Sequence, residues 1–181
     1  MSKAKDRIEE RYQENCRRLK AFDGCIFSQK DSRVKDLLFG KRGHIGAEGC
    51  GAVAIYNVMK FIEQPQDFCD ILREMEKLHM PWLGAKFGTK PHSLGRYFSK
   101  HRIFYRKYNA PVDFKAALLS HRIGILCTWN RRFRGMHFYC IYFSNEENKY
   151  YSINCHSTDK DFMPITLDEI SNLRFITGYV V

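Results

Sequence analysis

The chain has no Cys-x-x-Cys pair, no internal repeat, no low-complexity tract and no apolar run long enough to span a bilayer. Without that cysteine spacing the usual zinc and dithiol frameworks are excluded. Cys155 and His156 are adjacent, a poor geometry for two ligands of one tetrahedral ion, so neither metal nor cofactor is expected. The seven cysteines (Cys16, Cys25, Cys50, Cys69, Cys127, Cys140, Cys155) are an odd number without a framework and read as reduced thiols, mostly small core residues. Met1 to Arg7 runs into charged sequence with no apolar core region, so the expectation is no secretory signal, no membrane insertion and a cytoplasmic location. Acidic residues are also short: 20 against 30 lysines and arginines, a net charge of +10. Such an excess suits nucleic acid, but the cations are dispersed and the densest group is only Arg131-Arg132-Phe133-Arg134. The charge reads as a soluble basic surface, and no nucleic-acid partner is expected.

What is present is a globular composition: 44% hydrophobic and 14% aromatic in 181 residues, enough for one domain (1–181) with a full core. Residues 3–22 carry Ile8, Tyr12, Leu19 and Phe22 at helical spacing, an amphipathic helix ending near Asp23-Gly24 within an N-terminal helical extension (1–40). Residues 25–49 read as irregular. Helices follow over 50–62, from Phe68 to about His79, and over 93–100. The pattern then changes to period two, with strands at 103–108, 124–129, 136–143, 149–154 and 175–181. A helix is expected over 112–122, and Thr166 with Glu169 makes a capping box for another. Helices gather in the first half and strands in the second, which predicts an α+β fold with a mostly antiparallel sheet.

The most informative stretch is Gly49-Cys50-Gly51-Ala52-Val53-Ala54-Ile55, a cysteine between glycines at the start of an apolar helix. Unpaired backbone N–H groups and the positive end of the helix favour a thiolate there, and the thiolate is the nucleophile. A base should come from another element. His137 opens the strand His137-Phe138-Tyr139-Cys140, and Asn154 ends the partner strand across the hairpin turn 144–148. Counted outward from that turn, the two lie at the same end, where an asparagine side chain would orient the imidazole toward Cys50. That is the nucleophile, base and orienter arrangement of thiol acyl transfer.

This ordered set resembles the papain-like cysteine peptidases. It is closest to the bacterial branch that includes the peptidases removing double-glycine leaders from bacteriocins. The resemblance covers roughly residues 40–160 and rests on Cys50-Gly51, on Phe114 to Leu126 ahead of a strand, and on Gly135-Met136-His137-Phe138. It implies a papain-like fold, Cys50, His137 and Asn154 as catalytic residues, and a peptide or protein substrate. The branch usually carries a glutamine six residues before the cysteine as oxyanion donor. Here His44 stands in that place, and its imidazole N–H is the expected substitute, beside the Cys50 backbone N–H. The branch also more often uses aspartate as third group, where this chain has Asn154.

Arg131, Arg132 and Arg134 precede His137 and would flank the cleft as a grip on an acidic substrate, or form a solvated loop. Glu48 could line the cleft, but the favoured reading is a solvated loop residue; Asn57 and His92 read as structural, and Tyr139, Tyr142, Tyr150 and Tyr151 as hairpin packing. The expected activity is hydrolysis of a peptide or isopeptide bond through a thioester. The alternatives are an acyltransferase or deamidase with the same triad, and an inactive papain-like binding module. Oligomeric state is not legible.

Overall fold

The computed structural model describes residues 3–20, 22–130, 135–155 and 160–181. The element order among them is α1 (Lys3–Arg18), β1 (Leu38–Phe39), β2 (Gly43–His44), α2 (Ile45–Glu48), α3 (Cys50–Phe61), α4 (Phe68–Lys77), α5 (Leu94–Lys100), β3 (Arg106–Tyr108), α6 (Pro111–His121), β4 (Ile123–Asn130), β5 (Gly135–Ser144), β6 (Lys149–Ile153), β7 (Met163–Pro164), α7 (Leu167–Asn172) and β8 (Phe175–Val180). The strands β3-β8-β4-β5-β6-β7 form an antiparallel sheet in that order, and β1 and β2 pair separately. Helices come first and the sheet second, as the pattern predicts. No described helix is long and apolar enough to cross a membrane.

The period-two alternation of β5 decides what lies on each face of the sheet. Phe138 and Cys140 join the larger core, built around α3, whose residues from Cys50 to Met59 are all buried. Tyr139 and Ile141 point the other way, into a second core with Phe114 and Leu118 of α6 and Ile170 of α7. A helix apolar on all sides is one enclosed on all sides. On its other flank α3 meets α4, whose Phe68, Ile71, Leu72 and Met75 are buried and whose start is capped by the Asp67 side chain accepting from the Cys69 N–H at 2.7 Å. The capping box of α7 is present, with Thr166 N–H donating to Glu169 at 2.7 Å and Glu169 N–H donating to Thr166 Oγ1 at 3.1 Å.

α1 ends at Arg18, a turn earlier than predicted, and Leu19 and Phe22 leave the helix to pack on the core. The α1 residue Arg11 makes a two-pronged ion pair with Glu76 of α4. Glu76 also accepts from the Gly40 N–H at 2.9 Å, so one buried carboxylate ties the N-terminal helix to the loop ahead of β2. The stretch read as irregular contains β1, β2 and α2, elements too short to show a period.

Candidate active site

Cys50 is the first residue of α3. Gly49 before it ends α2 and starts α3, its N–H donating to Ile45 at 2.9 Å and its carbonyl accepting from Val53 at 3.0 Å. That turn needs the missing side chain: a Cβ on Gly49 would lie 2.7 Å from the Ile45 backbone. Gly51 is equally constrained, since its Cβ would lie 2.6 Å from Thr89 Oγ1. Both glycines allow the chain to approach itself on either side of the sulfur; neither opens room for a substrate.

Burial acts most strongly on the Cys50 thiol, which is only 6% exposed, and pushes its pKa up to about 11. The backbone N–H groups of Phe138, Gly51 and Cys50 itself oppose this, and the Glu48 carboxylate adds to it. The helix start therefore contributes the stabilisation that the sequence suggests, but desolvation outweighs it. Burial thus works against the thiolate that the helix start favours.

His137 lies at the beginning of β5, in register with Thr128 of β4, and lines the same cleft as Cys50. Its ring lies almost parallel to that of Tyr139, with centroids 6.2 Å apart. Its Nε2 contacts the backbone carbonyl of Asn154. A carbonyl oxygen only accepts, so Nε2 is the donor, and the base form of the ring with that bond intact has its lone pair on Nδ1. Asn154 takes a left-handed conformation (φ 65°) directly after β6, which turns its carbonyl toward the imidazole.

The Asn154 side chain has a different task from the one predicted. It is completely buried; its Oδ1 accepts from the Gln29 N–H at 2.8 Å, and its Nδ2 donates to the Phe138 carbonyl at 3.3 Å. Its own N–H donates to Phe27 at 3.0 Å. Asn154 thus joins the 27–29 segment to β5 through its side chain and holds His137 through its main chain. Asn57 reinforces that segment, exchanging bonds of 3.0 and 2.9 Å with the Ile26 backbone, in keeping with its structural reading.

The cleft has a volume of about 710 Å³, and Cys50, His137 and Asn154 all line it. Glu48 does too. It is half-buried and its carboxyl is raised above the usual range by burial, so it lines the cleft and is not the solvated loop residue favoured from the sequence. His44 is not in the cleft. It is exposed in β2 and borders another cavity with Arg7, Glu10 and Arg42, because the intervening residues wind into α2 instead of running straight to Cys50. The expected oxyanion role for His44 is therefore unsupported. Arg131, Arg132 and Arg134 lie outside the described residues.

Two cleft residues carry signals that the sequence did not reveal. Gln29 donates Nε2 to the carbonyls of Gly46 and Ala47, both at 3.1 Å, fixing the approach to Cys50, while its buried Oε1 has no partner among the described residues. Thr89, 1% exposed, likewise leaves Oγ1 without one. Buried polar atoms are normally satisfied, and both of these border the same cleft. Among the described residues no group of three or more histidine, cysteine or acidic side chains is arranged to hold a metal.

No family model and no curated protein matches the chain. Among solved structures it is similar to the crystal structure of the peptidase domain of Streptococcus ComA, a bi-functional ABC transporter involved in a quorum-sensing pathway. The TM-score is 0.54 and the identity 16%, over 78% of this chain and 94% of that one. At that identity the likeness is one of fold, and the fold is papain-like: helices with the cysteine at a helix start, packed on an antiparallel sheet.

Proposed function

We propose that the protein is a cysteine peptidase-like hydrolase with Cys50 as nucleophile and His137 as general base. The observation that carries this reading is the convergence of Cys50, His137 and Asn154 on one cleft, with the imidazole held in the tautomer that leaves Nδ1 basic. The thiol proton passes to Nδ1 as sulfur attacks a peptide carbonyl, with the Cys50 N–H as one donor to the developing oxyanion. The imidazolium returns that proton to the leaving amine. Water, deprotonated by Nδ1, then opens the thioester, releasing the acid and restoring the thiol. Asn154 is a positioning residue, acting through its main-chain carbonyl. Burial disfavours the free thiolate, so proton transfer is assigned to the attack itself and no stored ion pair is required.

The test is incubation of the reduced protein with a peptide pool, reading new termini by mass spectrometry. New termini are expected with the native chain and not with Cys50→Ala or His137→Ala; none with the native chain overturns the reading. A second reading, a papain-like module that binds without cleaving, is favoured by the elevated pKa of the Cys50 thiol and by the position of His44. It predicts peptide binding that survives Cys50→Ser and produces no new termini.

A further inference from the structure

Both tryptophans of the chain, Trp82 and Trp129, line the Cys50 cleft, and both remain open to solvent at 38% and 44% exposure. Phe87, 53% exposed, lies beside Trp82 with ring centroids 5.9 Å apart. The helical half of the molecule thus supplies Trp82 and Phe87, while the sheet supplies Trp129 and the neighbouring Met136. Large apolar side chains exposed singly need no explanation, but three aromatics gathered around a nucleophile do.

The loop carrying Trp82 and Phe87 is held in costly backbone geometry. Leu83 (φ 46°) and Ala85 (φ 75°) are left-handed without being glycine, and Gly84 and Gly88 are left-handed too. The surroundings enforce this shape. Trp82 N–H donates to Gly88 at 2.8 Å, Gly88 N–H to Ala85 at 3.0 Å, and Lys41 N–H to Gly84 at 3.0 Å, while Ala85 is fully buried. Backbone strain of this kind persists only where the rest of the structure over-determines it, and it collects at ligand-contacting segments. Here its effect is to hold two aromatic rings at the cleft against the tendency of such rings to bury themselves. Lys30 and Lys86 also line the cleft, with Glu48 as the counter-charge among the described residues.

We propose that residues 82–87 are the specificity element of the cleft, selecting a peptide with a large apolar side chain flanked by an acidic residue. The aromatic rings take the apolar side chain and the lysines favour the carboxylate. This rests on the cleft being where a peptide substrate lies.

Since both indoles of the chain line this cleft, their fluorescence reports its occupancy. The test uses the Cys50→Ser chain, so that no turnover intervenes, titrated with N-acetylated tripeptide amides Asp-Phe-Ala, Asp-Gly-Ala and Lys-Phe-Ala. Asp-Phe-Ala should shift the indole emission to the blue and bind at least about tenfold more tightly than Asp-Gly-Ala. Lys-Phe-Ala should bind more weakly than Asp-Phe-Ala, and more so at low salt. Phe87→Ala, and independently Trp82→Ala, should remove most of the Phe-over-Gly preference. Both side chains are exposed enough for truncation to be tolerated. Equal binding of the Phe and Gly peptides, no binding of any, or a preference surviving both variants overturns the assignment. A lysine peptide as tight as the aspartate one overturns its charge component. Selective binding without new termini would sink the peptidase reading and leave this inference standing. New termini without an apolar preference would do the reverse.

Discussion

The alkylation of Cys50 by iodoacetamide should follow an unusual pH profile, because burial sets the pKa of its thiol near 11. At pH 7 a thiol of that pKa is ionised to about one part in ten thousand, against roughly 3% for an ordinary cysteine near pKa 8.5. The rarer thiolate is intrinsically more reactive, by about tenfold over such a pKa difference. The net expectation is reaction about 30-fold slower than an unperturbed peptide cysteine of pKa near 8.5 at pH 7, before any steric effect of 6% exposure. Steric access lowers the whole curve but leaves its form alone: the rate should rise about tenfold per pH unit and level off only near pH 11. The assay is light and heavy iodoacetamide applied in sequence to the folded protein, with modification quantified on the peptide containing Cys50. A rate that is flat between pH 6 and about 8 and exceeds that of N-acetylcysteine would refute the reasoning, since it would require a thiolate already paired with imidazolium in the resting cleft.

Three substitutions probe the supports of the site. Gly51→Ala places a Cβ 2.6 Å from Thr89 Oγ1 and 2.8 Å from Thr89 Cβ, a residue too buried to step aside. Overpacking should outweigh the helix-propensity gain by about 1–2 kcal/mol, read as a lower urea midpoint; an unchanged midpoint would contradict the packing described. Asn154→Asp keeps the acceptor for the Gln29 N–H but loses the donor to the Phe138 carbonyl and buries a charge, at about 2–3 kcal/mol near neutral pH. Burial against a carbonyl raises the folded-state pKa of that carboxyl above its unfolded value. The penalty is therefore present above the folded pKa and disappears as pH falls below the unfolded one, so urea melts of variant and native chains should converge toward pH 3 to 4, roughly. Glu48→Gln acts in the same sense on a native group. The Glu48 carboxyl is raised by burial, so neutralising it should stabilise the chain slightly above that pKa and make no difference below the ordinary carboxylate range. It should also lower the pH at which Cys50 alkylates, because Glu48 is among the groups that raise the thiol; a profile identical to that of the native chain would exclude that coupling.

The α+β architecture was legible because its determinants are local. Alternation along 136–143 and 149–154, an apolar helix after Cys50, and the Thr166–Glu169 box each act within one element, and each appears where the pattern puts it. Illegible parts are those decided across the chain. Two-residue strands such as β1 and β2 have no period to read, and residues 103–105 carry strand-like composition yet only Arg106–Tyr108 pairs, with β8. The strained loop at 83–88 is equally hidden, since nothing in Leu83 or Ala85 announces a left-handed backbone.

The site divides along the same line. Cys50 and His137 line one cleft, and each begins an element whose pattern is strong in the sequence. The function of Asn154 was misassigned for a physical reason: sequence reports side chains, whereas the atom that meets His137 is a main-chain oxygen. Any residue able to take the left-handed turn would offer that oxygen, so orientation of the imidazole does not by itself require asparagine. What requires it is the pair of buried main-chain groups on its amide, one to be accepted from and one to be donated to, which neither aspartate nor leucine can serve together. His44 failed for the complementary reason. A count of six residues fixes distance along the chain, but one turn of helix between His44 and Cys50 moves the imidazole to another face. Gln29, 21 residues from Cys50 by the numbering, reaches the cleft instead, and both of its amide protons are already spent on the Gly46 and Ala47 carbonyls. Of the two buried polar side chains left there with an unpartnered atom among the described residues, the Thr89 hydroxyl is the one that still has a proton to give. Any side-chain help to an oxyanion in this cleft must therefore come from outside the position that the spacing indicates.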